Sequence, residues 1–484
     1  MKGNLLRTKS SYTFRPAYLD ERESPEEDID CVIWEYFQKK ETRRVQLRTD
    51  AKRRFRGHSR CGFYSCSTNP NLMLLFSKSP LQRAIYDYSN GKTQDPSEVI
   101  KLLSSSRNDD DQILEEPLPS ILSEAIRSSS CTLDTKAMAL NLLIKSELNN
   151  PKEFLNKFHS DFMEALKVAI SNDQFLQVSP LLLRLFHQII KSSPEISSVL
   201  LSNFNRLILR SLRDHSIETR DLTLSLLISI SSPKNPCTPK IQTEIYESFS
   251  NVILKALDEE ITRFRSMSLT ILNDISLQSD LNFRVYEKAK DDLVCVIASE
   301  DVQCVLLTTS ILLNASTNID VCPDIYERFH LAFLSLILEN NNQLQRNVIQ
   351  ILRNISLSVG YHTRIFTEFH EPISSLFEGK QGFIPTSDIR EELLSLLKNL
   401  ATNSLDFFHA FKLALKNNIN SGERTIALQI LQKITSLRES SDLHKFCALY
   451  FRDSLEFAFE NSPSPVKDLV LNITQNIAEF MKVR

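Results

Sequence analysis

The densest set of charged side chains in the sequence lies between Lys39 and Arg60, where ten Lys or Arg stand against two acidic residues. Arginine binds phosphate and carboxylate groups through paired hydrogen bonds, so this run favours an anionic partner. Nucleic acid, an acidic protein surface and a nuclear-import receptor all fit that chemistry. A solvated helix neutralised by the acidic cluster from Asp20 to Asp30 fits the composition equally well. The basic residues in question are Arg43, Arg44, Arg48, Lys52, Arg53, Arg54, Arg56 and Arg60.

The only tryptophan of the chain, Trp34, lies directly after the acidic cluster, in the stretch Cys31–Lys40. On a helix, Ile33, Trp34 and Phe37 would share one face. Bulky aromatic side chains in a polar segment are stabilised when they are buried away from water. Trp34 and Phe37 are therefore predicted to anchor either on the rest of the chain or on a partner.

The sequence offers little for metal binding or catalysis. His58, Cys61 and Cys66 are close together, but zinc needs a fourth ligand at a recognisable spacing and none follows. The motifs of phosphate-binding loops, zinc proteases and serine hydrolases are absent, and the nine histidines are dispersed. We therefore expect no enzyme, no cofactor, no metal and no small-molecule substrate.

Composition limits the class of protein further. Eight glycines in 484 residues leave little material for tight hairpins or glycine-rich loops, so the chain is predicted to be all-α. The nine cysteines are scattered and odd in number, which favours a reducing compartment. No apolar signal core or membrane-spanning run is present, and we expect a soluble intracellular protein with no membrane contact.

A recurring helical stripe organises most of the chain. In Gln345–Ser356, Val348 is followed at +3, +4 and +7 by Ile351, Leu352 and Ile355, which lie on one face of a helix. The other stripes end at Ile230, Ile275, Ala315, Leu400, Ile434 and Ile477. Successive ends are 34 to 45 residues apart, about 41 on average, which is the period of a helical solenoid.

Polar residues before several stripes resemble one another and predict helix starts. The segments are SIETR at Ser216, SEDVQ at Ser299, TSDIR at Thr386 and NSGER at Asn420. A Ser, Thr or Asn followed by an acidic residue caps the free N–H groups of a first turn. Each of these residues is expected to be an N-cap.

Three regions follow from these patterns. Residues 1–66 are predicted to be a partly disordered N-terminal arm, first acidic and then basic. Residues 67–131 are expected to contain short helices, such as Leu81–Tyr88, and a polar linker. Residues 132–484 are expected to form the solenoid, with exposed loops at Ser231–Lys240 and Glu378–Asp388.

The ends of the stripes resemble the third helix of armadillo repeats. The matching segments are ILLNAS (Ile311–Ser316), ILRNIS (Ile351–Ser356), LLKNLA (Leu396–Ala401) and TQNIA (Thr474–Ala478). This resemblance implies a right-handed superhelix of three-helix units whose third helices line a concave groove. HEAT repeats have a similar period and two helices, and they are the close alternative.

In armadillo proteins, an asparagine near the end of the third helix often binds the backbone of an extended peptide. The resemblance carries this role to Asn314, Asn354, Asn399 and Asn476. An amide suits the task because it both donates and accepts hydrogen bonds. The pattern is broken by Ser229, Asp274 and Lys433, and tryptophan does not stand one turn earlier, so a receptor for nuclear-localisation signals is not expected. The alternative is that these asparagines cap or bridge neighbouring helices.

A basic arm followed by a degenerate armadillo domain is similar in layout to the armadillo subunits of SWI/SNF- and RSC-type chromatin remodellers. That similarity implies a non-enzymatic scaffold in a nuclear multiprotein complex, with other subunits as partners and the arm in contact with a nucleosome or DNA. The alternative is a cytoplasmic adaptor or transport factor that carries an extended peptide in its groove.

Overall fold

A computed structural model describes residues 80–482, with gaps at 94, 106–116, 172, 236–237, 260, 378–385, 402–404, 421–423 and 437–440. The chain divides into two units, Met1–Ser77 and Lys78–Arg484, and the described residues belong to the second. The predicted sites at Trp34, Phe37, the segment 39–60 and the Cys61 region therefore lie outside the described residues.

Helices make up nearly all of the described chain, and no strand occurs in it. The first helices are α1 (Pro80–Ser89), α2 (Ser97–Ser105), α3 (Leu118–Arg127), α4 (Leu133–Asn149), α5 (Pro151–Lys157), α6 (Met163–Ile170), α7 (Ser179–Ser192), α8 (Ser197–Leu212), α9 (Ile217–Ser231) and α10 (Thr238–Lys255). They are followed by α11 (Thr262–Ser276), α12 (Ser279–Ile297), α13 (Val302–Ala315), α14 (Cys322–Leu336), α15 (Asn342–Ile355), α16 (His362–Phe377), α17 (Ser387–Leu400), α18 (Leu405–Ile419), α19 (Arg424–Ser436), α20 (Ser441–Glu460) and α21 (Ser464–Lys482).

From α7 onwards the helices form two layers. The odd-numbered helices α7 to α21 pack on one another in chain order as the first layer, and α8 to α20 form the second. Each repeat thus contributes two helices, where the armadillo resemblance implied three. The connections, such as 298–301 and 337–341, are too short for a third helix.

The predicted stripes form the interior of the first layer. In α15, for example, Val348, Ile351, Leu352 and Ile355 have no exposed surface. The other six stripes are buried in the same way, except for Thr474 on α21, which is exposed. The period-3.6 pattern therefore identified the core of each repeat correctly.

Helices α1 to α3, in the region expected to be transitional, share the same core. Val99, Ile100, Leu122 and Ile126 are at most 1% exposed and belong to the hydrophobic cluster that continues through the solenoid. Helix α2 packs on α4, and α3 packs on α4 and α6. The hydrophobic core thus extends to helices that precede residue 132.

The predicted helix caps have different outcomes. Ser216 caps α9, since its side chain accepts a hydrogen bond from the Thr219 N–H. The prediction for Ser299 is wrong, because Asp301 caps α13 and accepts from two successive backbone N–H groups. Asp301 lies directly before the first helical residue, and only from that position can a short carboxylate reach both N–H groups. Thr386 makes no capping bond with its side chain.

Candidate functional site

The predicted asparagines lie near the ends of first-layer helices, and each binds the repeat before it. The side-chain N–H groups of Asn314, Asn354 and Asn399 donate to the hydroxyls of Ser276, Ser316 and Ser356, each at 2.9 Å. Asn476 donates to the Thr435 hydroxyl at 3.4 Å. We call these contacts the amide ladder. Bridging between helices, one of the two interpretations left open by the sequence, is therefore present in the structure.

The serines of the amide ladder are themselves fixed. The Ser276 hydroxyl donates to the Asn273 carbonyl at 2.8 Å, and the Ser316 hydroxyl donates to the Leu313 carbonyl at 2.8 Å. With its hydrogen used in this way, each hydroxyl presents a lone pair to the amide of the next repeat. The amides are consequently held in one orientation.

Two of the positions that break the asparagine pattern continue the ladder with different chemistry. Asp274 Oδ2 accepts from the Ser231 hydroxyl at 3.3 Å. Lys433 Nζ donates to the carbonyls of Lys398 and Asn399 at 2.9 and 3.1 Å. Ser229 makes no such link and donates to a carbonyl of its own helix. The contact between repeats therefore persists at Asp274 and Lys433 and is absent at Ser229.

Burial changes the acid–base behaviour of these two substitutes. It disfavours the charged form of each group, and the shifts have opposite directions. Desolvation raises the pKa of Asp274 to about 6, against a hydrogen bond from Ser231 that lowers it. Desolvation lowers the pKa of Lys433, and the nearby charge of Lys398 lowers it further.

The amide ladder leaves an acceptor open on each asparagine. Asn314, Asn354 and Asn399 are half-buried, and Oδ1 of each accepts no hydrogen bond from the described part of the chain. An acceptor that is oriented and accessible to solvent can bind a backbone N–H group. Binding of a partner peptide at these positions remains a prediction.

Charged side chains next to the amide ladder largely neutralise one another. Arg353 pairs with Glu392 at 2.6 Å, and Gln350 donates to the other oxygen of the same carboxylate at 2.7 Å. Arg346 lies 3.7 Å from Asp388. The surface around Asn354 thus presents amides rather than free charge.

A second set of polar contacts was missed from the sequence. Side chains at the starts of second-layer helices donate to carbonyl groups at the ends of first-layer helices, where the last carbonyls have no partner within the helix itself. Gln242 binds Ser231 O at 2.8 Å, Asn282 binds Asn314 O at 3.0 Å, Cys322 binds Ser316 O at 3.3 Å and His362 binds Ser356 O at 2.8 Å. These four residues stand 40 positions apart, a regularity that was visible in the sequence.

Tyrosines with the same 40-residue spacing, also missed, connect the helices of the second layer. The hydroxyls of Tyr246, Tyr286 and Tyr326 donate to the Arg284 carbonyl, Asp324 and Glu368 respectively, each at 2.8 Å. Burial raises the pKa of Tyr286 and Tyr326, and their carboxylate partners raise it further, so both remain donors at neutral pH. Across the same layer, Arg284 pairs with Glu247, Arg328 with Asp291 and Arg364 with Glu327.

The described residues provide no group of three side chains that could hold a metal ion. In the same part of the chain, no helix is both long and apolar enough to cross a bilayer.

Comparison with known proteins gives a likeness in structure alone. No protein-family model matches the chain, and no curated protein matches it. A solved engineered protein aligns over 84% of this chain and 98% of its own, with 13% identity and a TM-score of 0.55. The chain is an all-α solenoid. Two designed armadillo repeat proteins each align over 56% of this chain and 98% of their own length, with TM-scores of 0.39. Their sequence identities to this chain are 12% and 11%, and the second was solved in complex with the peptide (KR)4.

Proposed function

We propose that this chain is a non-enzymatic scaffold that holds an extended segment of a partner protein along the first layer of its solenoid. The observation that supports the proposal is the repeated, oriented amide. Asn314, Asn354 and Asn399 recur at successive repeats, each fixed through its side-chain NH2 group and each with Oδ1 open. Such a row complements the one feature that every polypeptide shares, its backbone.

The spacing of the row fits an extended chain. Packed helices lie about 8–10 Å apart, so successive amides are separated by a similar distance. An extended peptide advances about 3.3 Å per residue, so a bound segment would meet one amide at every second or third residue. The neutral surroundings of Asn354 favour contact with the backbone over selection by charge.

A display library of random peptides, screened against the full chain, would provide ligands for the test. Replacement of Asn354 and Asn399 by Ala should weaken the selected peptides about tenfold or more, because each lost hydrogen bond contributes about 1 kcal/mol. The matched control replaces Ser316 and Ser356 by Ala. It removes the same two ladder contacts but keeps both amides.

Lost binding in the asparagine variant, together with a clearly smaller loss in the serine variant, would support the proposal. Equal losses in both variants would show that the asparagines act only on the fold. Unchanged binding in the asparagine variant would place the peptide elsewhere on the chain.

The location of this scaffold is also part of the proposal. The basic segment 39–60 has a net charge of +8 from ten basic and two acidic residues, which supports a nuclear multiprotein complex, such as a chromatin remodeller, in which the segment contacts DNA or a nucleosome. Deletion of residues 39–60 should then lower the salt concentration that releases the protein from chromatin. Unchanged release would favour the cytoplasmic adaptor instead.

A further inference from the structure

The groove between α6 and α8 differs in its charge from the middle of the second layer. It has a volume of about 770 Å³, and its lining includes Lys167, Arg206 and Arg210 together with Ser171 and Asn205. A shallower cleft of about 500 Å³ continues from it past Arg213. Arg206 is on α8 and Arg213 directly follows its last residue, so the two lie about two helical turns, roughly 10 Å, apart along the helix axis.

In the middle of this layer, three arginines have an acidic partner on the preceding second-layer helix. Arg284, Arg328 and Arg364 each pair with an acidic residue 37 positions earlier. The residues 37 positions before Arg206 and Arg213 are Ala169 and Leu176, which carry no charge. Within the described chain, Arg206 and Arg213 form no ion pair.

The described acidic groups near the groove do not pair with Arg206 or Arg213. Among the described lining residues, Asp214 is the one carboxylate, and it accepts a hydrogen bond from the Ser216 backbone N–H at the start of α9. Glu164 lies 3.5 Å from Lys167, but its side chain is 66% exposed, and a pair so open to water contributes little. Arg206 and Arg213 therefore present positive charge at the groove with no acidic partner among the described residues.

From this contrast we propose that the α6–α8 groove binds an acidic stretch of polypeptide, in which carboxylates or phosphorylated side chains contact Arg206 and Arg213. Acidic side chains two or four residues apart on an extended peptide share one face and lie roughly 7 or 13 Å apart, which brackets the axial separation of Arg206 and Arg213. Ser171 and Asn205 provide hydroxyl and amide groups for the peptide backbone.

Nucleic acid fits the groove less well. Single-stranded nucleic acid binds largely through bases that stack on exposed aromatic rings, and the aromatic residue in this groove, Phe204, is 2% exposed. Duplex DNA requires an interface of roughly 1,000 Å² or more with many phosphate contacts, well beyond a stripe about 10 Å long. This groove is separate from the amide ladder, so the proposal for the groove would still hold if no peptide bound to the ladder.

The test uses fluorescent peptides that contain either four glutamates or phosphoserines in their place, with a neutral glutamine peptide for comparison. Because the chain has seven acidic residues between positions 20 and 30, binding is measured both with the full chain and with a variant that has Asn or Gln at those seven positions. The charge-reversal variant is Arg206→Glu with Arg213→Glu. The matched control, Lys145→Glu with Lys255→Glu, changes the net charge equally at exposed positions outside the groove.

We expect the acidic peptides to bind at least tenfold more tightly than the neutral one, and the groove variant to lose at least that factor while the control keeps it. The tighter of the glutamate and phosphoserine peptides identifies the preferred anion. The proposal is overturned if neither form of the chain binds the acidic peptides, if the control loses as much as the groove variant, or if duplex DNA of the same charge binds tenfold more tightly and displaces the peptide.

Discussion

Replacement of Asp274 by Asn should stabilise the protein, because Asp274 occupies a position where the following repeats have asparagine. The pKa of its half-buried carboxyl is raised to about 6 from an ordinary value of 3.8, and burial is the main cause. A difference of about two pKa units corresponds to roughly 3 kcal/mol, which partial access to water reduces to about 1–3 kcal/mol. The introduced amide would keep the contact with Ser231 by donating to its hydroxyl, as Asn314 does to Ser276.

The effect should depend on pH in a defined direction. Between pH 3.8 and about 6, the folded protein holds a proton on Asp274 that the unfolded chain releases. The stability contributed by this group therefore falls as the pH rises through that window and is constant above it. The advantage of the Asp274→Asn variant should be full at pH 7 and should disappear near pH 4.

Urea unfolding at pH 7 and pH 4.5, followed by circular dichroism, measures this difference. The reciprocal change Asn314→Asp serves as a control, since it should lower the unfolding midpoint at pH 7 and have a smaller effect at pH 4.5. If Asp274→Asn leaves the midpoint at pH 7 unchanged, or if its gain is as large at pH 4.5, the carboxylate is not strained by burial and the reasoning fails.

Three further predictions concern the core, the helix caps and the cysteines. Leu352→Ala should destabilise the protein by about 2–5 kcal/mol in urea unfolding, because Leu352 is fully buried. Leu357 is 61% exposed, so Leu357→Ala should destabilise it by less than about 0.5 kcal/mol. Similar losses of stability in the two variants would contradict the burial of Leu352. Asp301→Ala should lower the free energy of unfolding by about 1 kcal/mol and speed amide exchange in the first turn of α13. Ser299→Ala should be neutral or slightly stabilising, because the buried Ser299 hydroxyl has no hydrogen-bond partner. A larger loss of stability for Ser299→Ala would show that Ser299 is the cap. Iodoacetamide at pH 8 should label the exposed Cys295 in the native protein and leave Cys322 unlabelled, since burial raises the pKa of Cys322 to about 11. Mass spectrometry measures the labelling of each cysteine, and equal labelling of the two would contradict this prediction.

The stripes could be predicted because a helix face is a local property. Val348, Ile351, Leu352 and Ile355 lie within eight residues, and their burial needs no knowledge of the neighbouring repeat. The number of helices per repeat was less accessible. It depends on where the connections fall, and the short segments between α12 and α15 leave room for one helix in each layer.

The role of the asparagines depends on a partner in another repeat. Asn354 is bound to Ser316, 38 residues earlier, and Asn314 is bound to Ser276 at the same separation. Single-helix periodicity contains no information about such a pair, although the constant separation was present in the sequence. The cap at Asp301 was missed for a different reason, because Ser299 and Asp301 are both good capping residues and only the position of the first helical turn distinguishes them.

The contacts between successive repeats differ in charge between the two layers. Neutral amide–hydroxyl bonds join successive repeats on one side, and arginine–carboxylate pairs exposed to solvent reinforce the other. Ions in solution screen the second kind of contact and barely affect the first. Added salt should therefore weaken the arginine–carboxylate contacts, including the Arg353–Glu392 pair of the first layer, while the amide–hydroxyl bonds that join successive repeats persist.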